Sequence, residues 1–467
     1  MDFQILNNLG INRNVSHFNI VPGEWRMILN ADVDKIGRYK KRKGYETFLN
    51  APDANEILSL IPFNIGGANK FIMINAAGKL YSANTNAADW GSAILTGLST
   101  TERWGYTVMA DSGGTEYLLI GNGATVKKTS DGLTFSDVSG CPLAKYFCTL
   151  YQRVYAAGVS ASPSTLFWSG TGDLTDWDTV TSDSGSTDID VGSKGDIKGL
   201  FTANNNVAVY KERMMKRWNS DYMRTIRTSW GVEAPYSLAE IDGGVFSYDR
   251  EAIRFYDGNV PVPISFYIQD LIEGMSNANS ALQRRFGFTY RDKYYLNVGG
   301  SITDEDNKVI NNAMIVYDYQ KNMFVLYSFA DLMTTGAKVI DHNGDEIIVC
   351  GDSNGQCYKM FTGDLDNDEN VEMRLESHIY YPAGIDKYIE PIDLHVATEN
   401  PNRMSVALSA DFGDIEDQEE IKEDIGDIAL NNLGQCRGFK LFISHATAGR
   451  PVFKGFNFNY ELSKDER

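Results

Sequence analysis

An all-β fold is what this sequence predicts, on three observations. Glycine is abundant (43 residues) and proline scarce (12), a balance that favours short strands joined by tight turns. A hairpin pattern, in which a β-branched or aromatic run meets a Gly, Asn or Asp turn and then a second such run, recurs seven times. The helical segments of ten or more residues that a parallel sheet needs as crossovers are missing between the runs.

The hairpins begin at Phe71, Tyr117, Arg153, Val207, Val245, Tyr294 and Glu346. Successive starts lie roughly 36 to 54 residues apart, close to the 40–50 residues of a four-stranded propeller blade. The expectation is therefore a β-propeller of six to seven blades with an accessory β-domain. The propeller is placed at residues 51–376 and a C-terminal β-domain at 377–467. Residues 1–50 are read as an N-terminal extended or docking segment, with membership of the accessory domain left open. Four partly alternating runs, "YIEPIDLHVAT", "RMSVALSADFG", "GFKLFISHAT" and "VFKGFNFNYEL", supply the C-terminal strands. Short helices are expected only at 267–275 and 329–335.

Two local motifs fit such a scaffold. In "LFWSGTGDLTDW" (166–177), Leu166–Trp168 reads as a strand, "SGTGD" as a turn and Trp177 as a wedge between neighbouring blades. "TSDGLTF" (129–135) resembles, with one residue missing, the Asp-box of propeller proteins, in which an Asp side chain ties off a hairpin turn above a packed aromatic. That role is structural.

Composition narrows the function classes. The chain has 467 residues and a net charge of −19, from 62 acidic against 43 basic residues. Phosphate binding needs a basic surface, so nucleic-acid binding is disfavoured as the main task. An acidic wall instead repels DNA, which suits a conduit. No apolar run approaches the roughly 20 residues of a membrane span, and the N-terminus lacks the order of a secretory signal. A cytoplasmic origin without membrane association is expected. The five cysteines (Cys141, Cys148, Cys350, Cys357, Cys436) are an odd, scattered set that reads as reduced and packed.

Candidate chemistry is thin. Lys35, Arg38, Lys40, Lys41, Arg42 and Lys43 crowd one short stretch of an acidic chain, and they are read as a partner-contact patch in preference to a solvated strand edge. Asp364, Asp366 and Asp368 alternate like the start of a calcium loop, but Glu369 and Leu375 stand where that loop needs a glycine and a glutamate. A polar turn is the better reading. The acidic run 413–427 reads as hydrated. Five histidines, of which His342 sits in the turn "DHNGD", form no metalloprotease motif, and no nucleophile elbow or phosphate loop occurs. No catalytic set, metal site or cofactor is expected. Paired carboxylates from distant blades leave no local signature, however. Arg217, Arg224, Arg227 and Arg254 are also considered as a cluster for an acidic sugar.

One stretch carries a resemblance. "VPGEWRMILNADVDKIGRYKKRKGYETF" resembles the N-terminal signature of tailed-bacteriophage tail proteins: a Pro-Gly-Glu turn, an asparagine-containing strand and a basic stretch ending in Gly-Tyr. "PSTLFWSGTGDLTDWD", "GVEAPYSLAEIDGGVFSYDREAIRFYDG" and "NNAMIVYDYQKNMFVLY" are similar to later blades of the same family, so the likeness spans residues 21–330. It implies a β-propeller hub or nozzle subunit, of the stabilisation type, found in the virion tail after synthesis in the host cytoplasm. It further implies a ring of this chain, six copies being the natural number, that lines or closes the DNA exit channel. Connector or adaptor proteins and tail fibres or a needle would be its partners, and DNA would pass without specific binding. Two other classes are carried beside it: a propeller that binds or degrades a glycan, and a monomeric cellular scaffold.

Overall fold

The computed structural model describes residues 2–5, 9–15, 21–34, 37–67, 69–178, 182–219, 222–227, 229–410, 417–430 and 433–463. Strands dominate them, and the two α-helices are short, Gln269–Glu273 and Asn279–Arg284. Among the described residues, no helix is long and apolar enough to cross a membrane.

Seven small antiparallel sets of strands follow one another along the chain. Sheet 1 contains Ile57–Phe63, Lys70–Asn75 and Leu80–Asn84; sheet 2 runs from Gly105–Ala110 to Ser136–Asp137. Sheet 3 runs from Tyr146–Leu150 to Gly185–Asp188, sheet 4 from Ile197–Ala203 to Met223–Arg227, and sheet 5 from Ala239–Ile241 to Val262–Pro263. Sheet 6 comprises Phe286–Tyr290, Lys293–Asn297, Ala313–Asp318 and Met323–Ser328. Sheet 7 comprises Met333–Ile340, Glu346–Asp352 and Cys357–Met360, and then takes its fourth strand, Tyr45–Leu49, from far upstream. That strand lies antiparallel to Cys357–Met360, with Tyr45 opposite Met360 and Leu49 opposite Cys357.

Each of the seven hairpins expected from sequence is the second and third strand of one sheet. The core follows the same plan, because much of it lies in seams between consecutive sheets. Ile61, Phe63 and Ile72 of sheet 1 meet Leu118 and Ile120 of sheet 2. Met109 and Leu119 of sheet 2 meet Phe147 and Val154 of sheet 3, and Tyr155 and Leu166 meet Val207, Val209 and Trp218 of sheet 4. Sheet 7 lies against sheet 1, where Val339, Ile347 and Val349 pack with Ile57, Phe71 and Met73, and Thr334 Oγ1 donates to the Ile57 carbonyl at 2.7 Å. Each such buried aliphatic or aromatic side chain contributes about 1.5–3 kcal/mol.

The two expected motifs serve as predicted. Trp168 stacks on Trp218 across the seam between sheets 3 and 4, at 5.4 Å between ring centroids. Trp177 packs on the seam between sheets 2 and 3 and donates through Nε1 to the Leu174 carbonyl at 2.9 Å. Asp131 Oδ1 accepts the backbone N–H groups of Leu133 and Thr134 at 2.8 and 2.7 Å, tying the turn before the last strand of sheet 2. Phe135 packs against the seam below it.

The terminal regions depart from the expected boundaries. Residues 45–49 belong to sheet 7, hence with the repeated region and not with a separate N-terminal segment. Position 377 falls inside the strand Met373–Tyr380. Glu24–Leu29 follows the Pro22-Gly23 turn, in which Gly23 takes φ 100° as a tight turn of this kind requires. This strand pairs parallel with sheet 6 at Leu29 and Leu326, and antiparallel with Met373–Tyr380. The ladder continues through Phe439–His445 and Met404–Ala410 to Asp417–Ile421. A second sheet joins Ala31–Val33 and Tyr39–Lys41 to Val452–Leu462, Ile389–Glu399 and Ile425–Ala429, with Asp2–Ile5 on the strand 452–462. All four expected C-terminal strands are present. Of the two expected helices, 267–275 holds the turn Gln269–Glu273, whereas 329–335 runs into the strand Met333–Ile340, whose Met333, Thr334 and Thr335 are buried.

Candidate functional site: the central cavity and the basic strip

The first strand of every sheet reaches one cavity of about 570 Å³, through residues such as Ser59, Thr107, Thr149, Phe201, Glu240 and Phe286. Gly336 lines it from sheet 7. Tyr106 and Val108 stand at 41% and 40% exposure on the first strand of sheet 2, so apolar surface as well as hydroxyls faces this space. A wider space of about 850 Å³ adjoins it, sharing Tyr106, Glu240, Gly287 and Gly336, and is lined by the carboxylates of Glu240, Asp242, Asp292 and Glu346. Glu346 is paired with Lys338 at 3.0 Å.

Arg103 borders the narrower cavity and has no counterpart among the residues singled out from sequence. Its guanidinium lies 4.3 Å from the Tyr236 ring centroid and 5.6 Å from that of Phe286. Nη2 donates to Thr335 Oγ1, and the Tyr236 hydroxyl donates to the Arg103 carbonyl at 2.9 Å. Burial pushes the guanidinium down to about 10. One arginine thus connects the approach to sheet 2 with the short helix Pro235–Ser237 ahead of sheet 5 and with sheets 6 and 7, by stacking and hydrogen bonding.

The basic strip is not a uniform surface patch. Lys35 lies outside the described residues. Arg38 is committed to Asp34 at 2.6 Å and Glu399 at 3.1 Å; Lys40 and Lys43 are half-buried. Lys41 and Arg42 are fully buried, which corrects the partner-contact reading for these two. Lys41 Nζ lies 3.2 Å from His445 Nδ1 and donates to the Thr447 carbonyl at 2.7 Å. Burial, reinforced by Arg42, lowers the lysine to about 8, while burial and the neighbouring Lys41 lower His445 to about 4.

Arg42 binds Asp366 through two parallel hydrogen bonds of 2.8 and 2.6 Å. It also donates to Asn30 Oδ1 at 2.8 Å and to the carbonyls of Lys43 and Ser328, over the Phe329 ring at 4.4 Å. Asn30, at φ 54°, in turn donates to Ser328 Oγ and the Glu372 carbonyl at 2.9 and 2.7 Å and accepts the Ser328 N–H at 2.9 Å. The asparagine and the arginine of the N-terminal signature therefore form one buried joint between sheet 6, the extension of sheet 7 and the C-terminal strands. Asp366 is engaged in this joint, and Asn367 and Asp368 take φ 46° and 75°, the geometry of a polar turn.

The four arginines considered for an acidic sugar do not converge on either cavity. Arg254 is paired with Asp249 and lies 4.3 Å from the Trp230 ring centroid. Arg217 and Arg224 stand opposite each other on the last two strands of sheet 4. His342 lies in the turn tied by Asp341 Oδ1, which accepts the N–H groups of Asn343 and Asp345.

No family model matches the chain, and no curated protein matches it. Solved structures similar to it include the computationally designed Ika8 protein (12% identity, TM-score 0.41, 68% of this chain and 100% of that one). U3-55K is similar at 8% identity and TM-score 0.43, over 68% of this chain and 98% of that one. BBS1N, in complex with ARL6DN, is similar at 10% identity and TM-score 0.44, over 69% and 98%. At these scores the likenesses carry no argument about fold or function.

Proposed function

We propose that the seven sheets are the blades of a closed propeller and that the chain is a rigid structural subunit of a phage tail. In this reading the strand 45–49 fastens sheet 7, and the joint around Arg42 fixes the disc to its C-terminal β-domain. Copies form a ring at the hub or nozzle, below the connector, lining or closing the DNA exit channel and docking further tail proteins. One observation carries the reading: the signature residues behind the family resemblance, Asn30 and Arg42, hold the repeated sheets and the C-terminal strands together. A mechanical part needs stiffness, and the buried bidentate pair of Arg42 with Asp366 supplies it where the sheets meet. The net charge of −19 suits a channel wall along which DNA slides. The test is the mass of the purified chain, alone and with connector protein: ring multiples are expected, and a monomer under both conditions overturns the reading.

A second reading, glycan binding or cleavage, is favoured by the four carboxylates around the wider space. Cleavage of bacterial surface glycans by the purified chain, abolished in Glu240→Gln, would establish it.

A further inference from the structure

Two strand edges with opposite charge are left open by the fold. Met223–Arg227 ends the strand order of sheet 4, and Asp417–Ile421 ends the order of the long C-terminal ladder. Among the described residues, neither has a hydrogen-bonded strand on its outer side. Both are five residues long. The first presents exposed Arg224 and Arg227, the second exposed Glu419 and Glu420.

The charges on these edges are unbalanced where they stand. Arg224 faces Arg217 across the ladder, and like charges directly opposite destabilise a strand pair. Among the described residues, no carboxylate lies within ion-pair distance of Arg217, Arg224 or Arg227, and no cation within that distance of Glu419 or Glu420. A positive edge in a chain of net charge −19 is complementary to that chain's own acidic edge.

We infer that the edge Met223–Arg227 of one copy pairs with the edge Asp417–Ile421 of the next, as a continuous intermolecular sheet. The occupant is a second copy of this chain. Two different surfaces make the contact heterologous, and a heterologous contact propagates head to tail and gives a ring when the rotation between copies closes. Backbone hydrogen bonds supply affinity, as in other strand additions, and the Arg and Glu side chains select the partner edge. This inference rests on the ring reading above and adds the surfaces that make the ring.

The experiment measures self-association of the full chain by sedimentation, for the natural sequence and for two variants, R224E/R227E and E419K/E420K. Each variant alone is expected to associate about tenfold more weakly or worse. An equimolar mixture of the two should regain association, because every edge of one then meets an opposite edge of the other; misfolding of either variant could not produce that rescue. Association of the natural chain should also weaken as salt rises. If the natural chain associates and both variants do so equally well, the edge pairing is wrong while the ring reading stands. If the natural chain is monomeric at every concentration, both alone and with connector protein, both fall. Loss of association in both variants without rescue in the mixture likewise overturns the pairing.

Discussion

Arg42 and Asp366, 324 residues apart in sequence, meet as a buried two-pronged ion pair with Nη1–Oδ1 and Nη2–Oδ2 distances of 2.8 and 2.6 Å. The guanidinium spends its remaining donors on Asn30, Lys43 and Ser328. Such a group is destabilising if only one partner is kept, because the survivor is an uncompensated buried charge.

Arg42→Met is accordingly expected to lose about 3–5 kcal/mol of stability. Arg42→Lys should recover little, because an ammonium cannot reproduce the planar fork. Urea denaturation of the full chain, followed by tryptophan fluorescence, measures both. Equal stability of the lysine variant and the natural chain would show that the bidentate geometry is immaterial.

Leu49 is buried among Ile57, Phe71, Val349 and Cys357, where the upstream strand meets sheets 7 and 1. Leu49→Ala should cost about 2–5 kcal/mol. Amide exchange in Cys357–Met360 should accelerate by the corresponding factor, since those residues lose the strand that covers them.

Asp131 is held at about 2, chiefly by the N–H groups of Thr134 and Leu133, against an ordinary 3.8. A carboxylate depressed on folding adds stability that is present above pH 3.8 and lost as pH falls through 2. Asp131→Ala should cost about 0.5–1.5 kcal/mol at pH 7. The difference from the natural chain should shrink below pH 3 in a denaturation series.

His445 has the opposite chemistry and the same direction. Folding lowers it to about 4 from 6.5, so the unfolded chain binds the proton more readily and stability falls as pH drops from 6.5 through 4. The loss amounts to at most about 3 kcal/mol. Lys41, lowered to about 8 from 10.5, gives rising stability between pH 8 and 10.5 for the same reason. His445→Asn should flatten the acid limb between pH 6.5 and 4, leaving the alkaline limb in place.

How much of this was legible in the sequence follows from where the apolar residues fall. The second strands of the sheets are the most continuously buried, as in Phe71–Ile74 or Val207–Lys211, so the hairpins they open are readable. First strands such as Gly105–Ala110 alternate toward the cavity, and last strands such as Ser136–Asp137 are short and exposed; neither leaves a strong pattern. The strand Tyr45–Leu49 looks like part of a separate segment because its partner lies more than 300 residues away. The basic strip misleads because dense charge normally signals solvent, whereas Lys41 and Arg42 reach partners on distant segments that no local spacing reveals. Arg103 is isolated in sequence, and its aromatic partners Tyr236 and Phe286 come from the short helix Pro235–Ser237 and from sheet 6.

Electron imaging of the assembled chain tests the central claim most directly. The account predicts an annulus of copies around an open or plugged centre, each copy a seven-part disc whose seventh part contains residues 45–49. Isolated discs that never associate, or a disc interrupted between sheets 7 and 1, would contradict it.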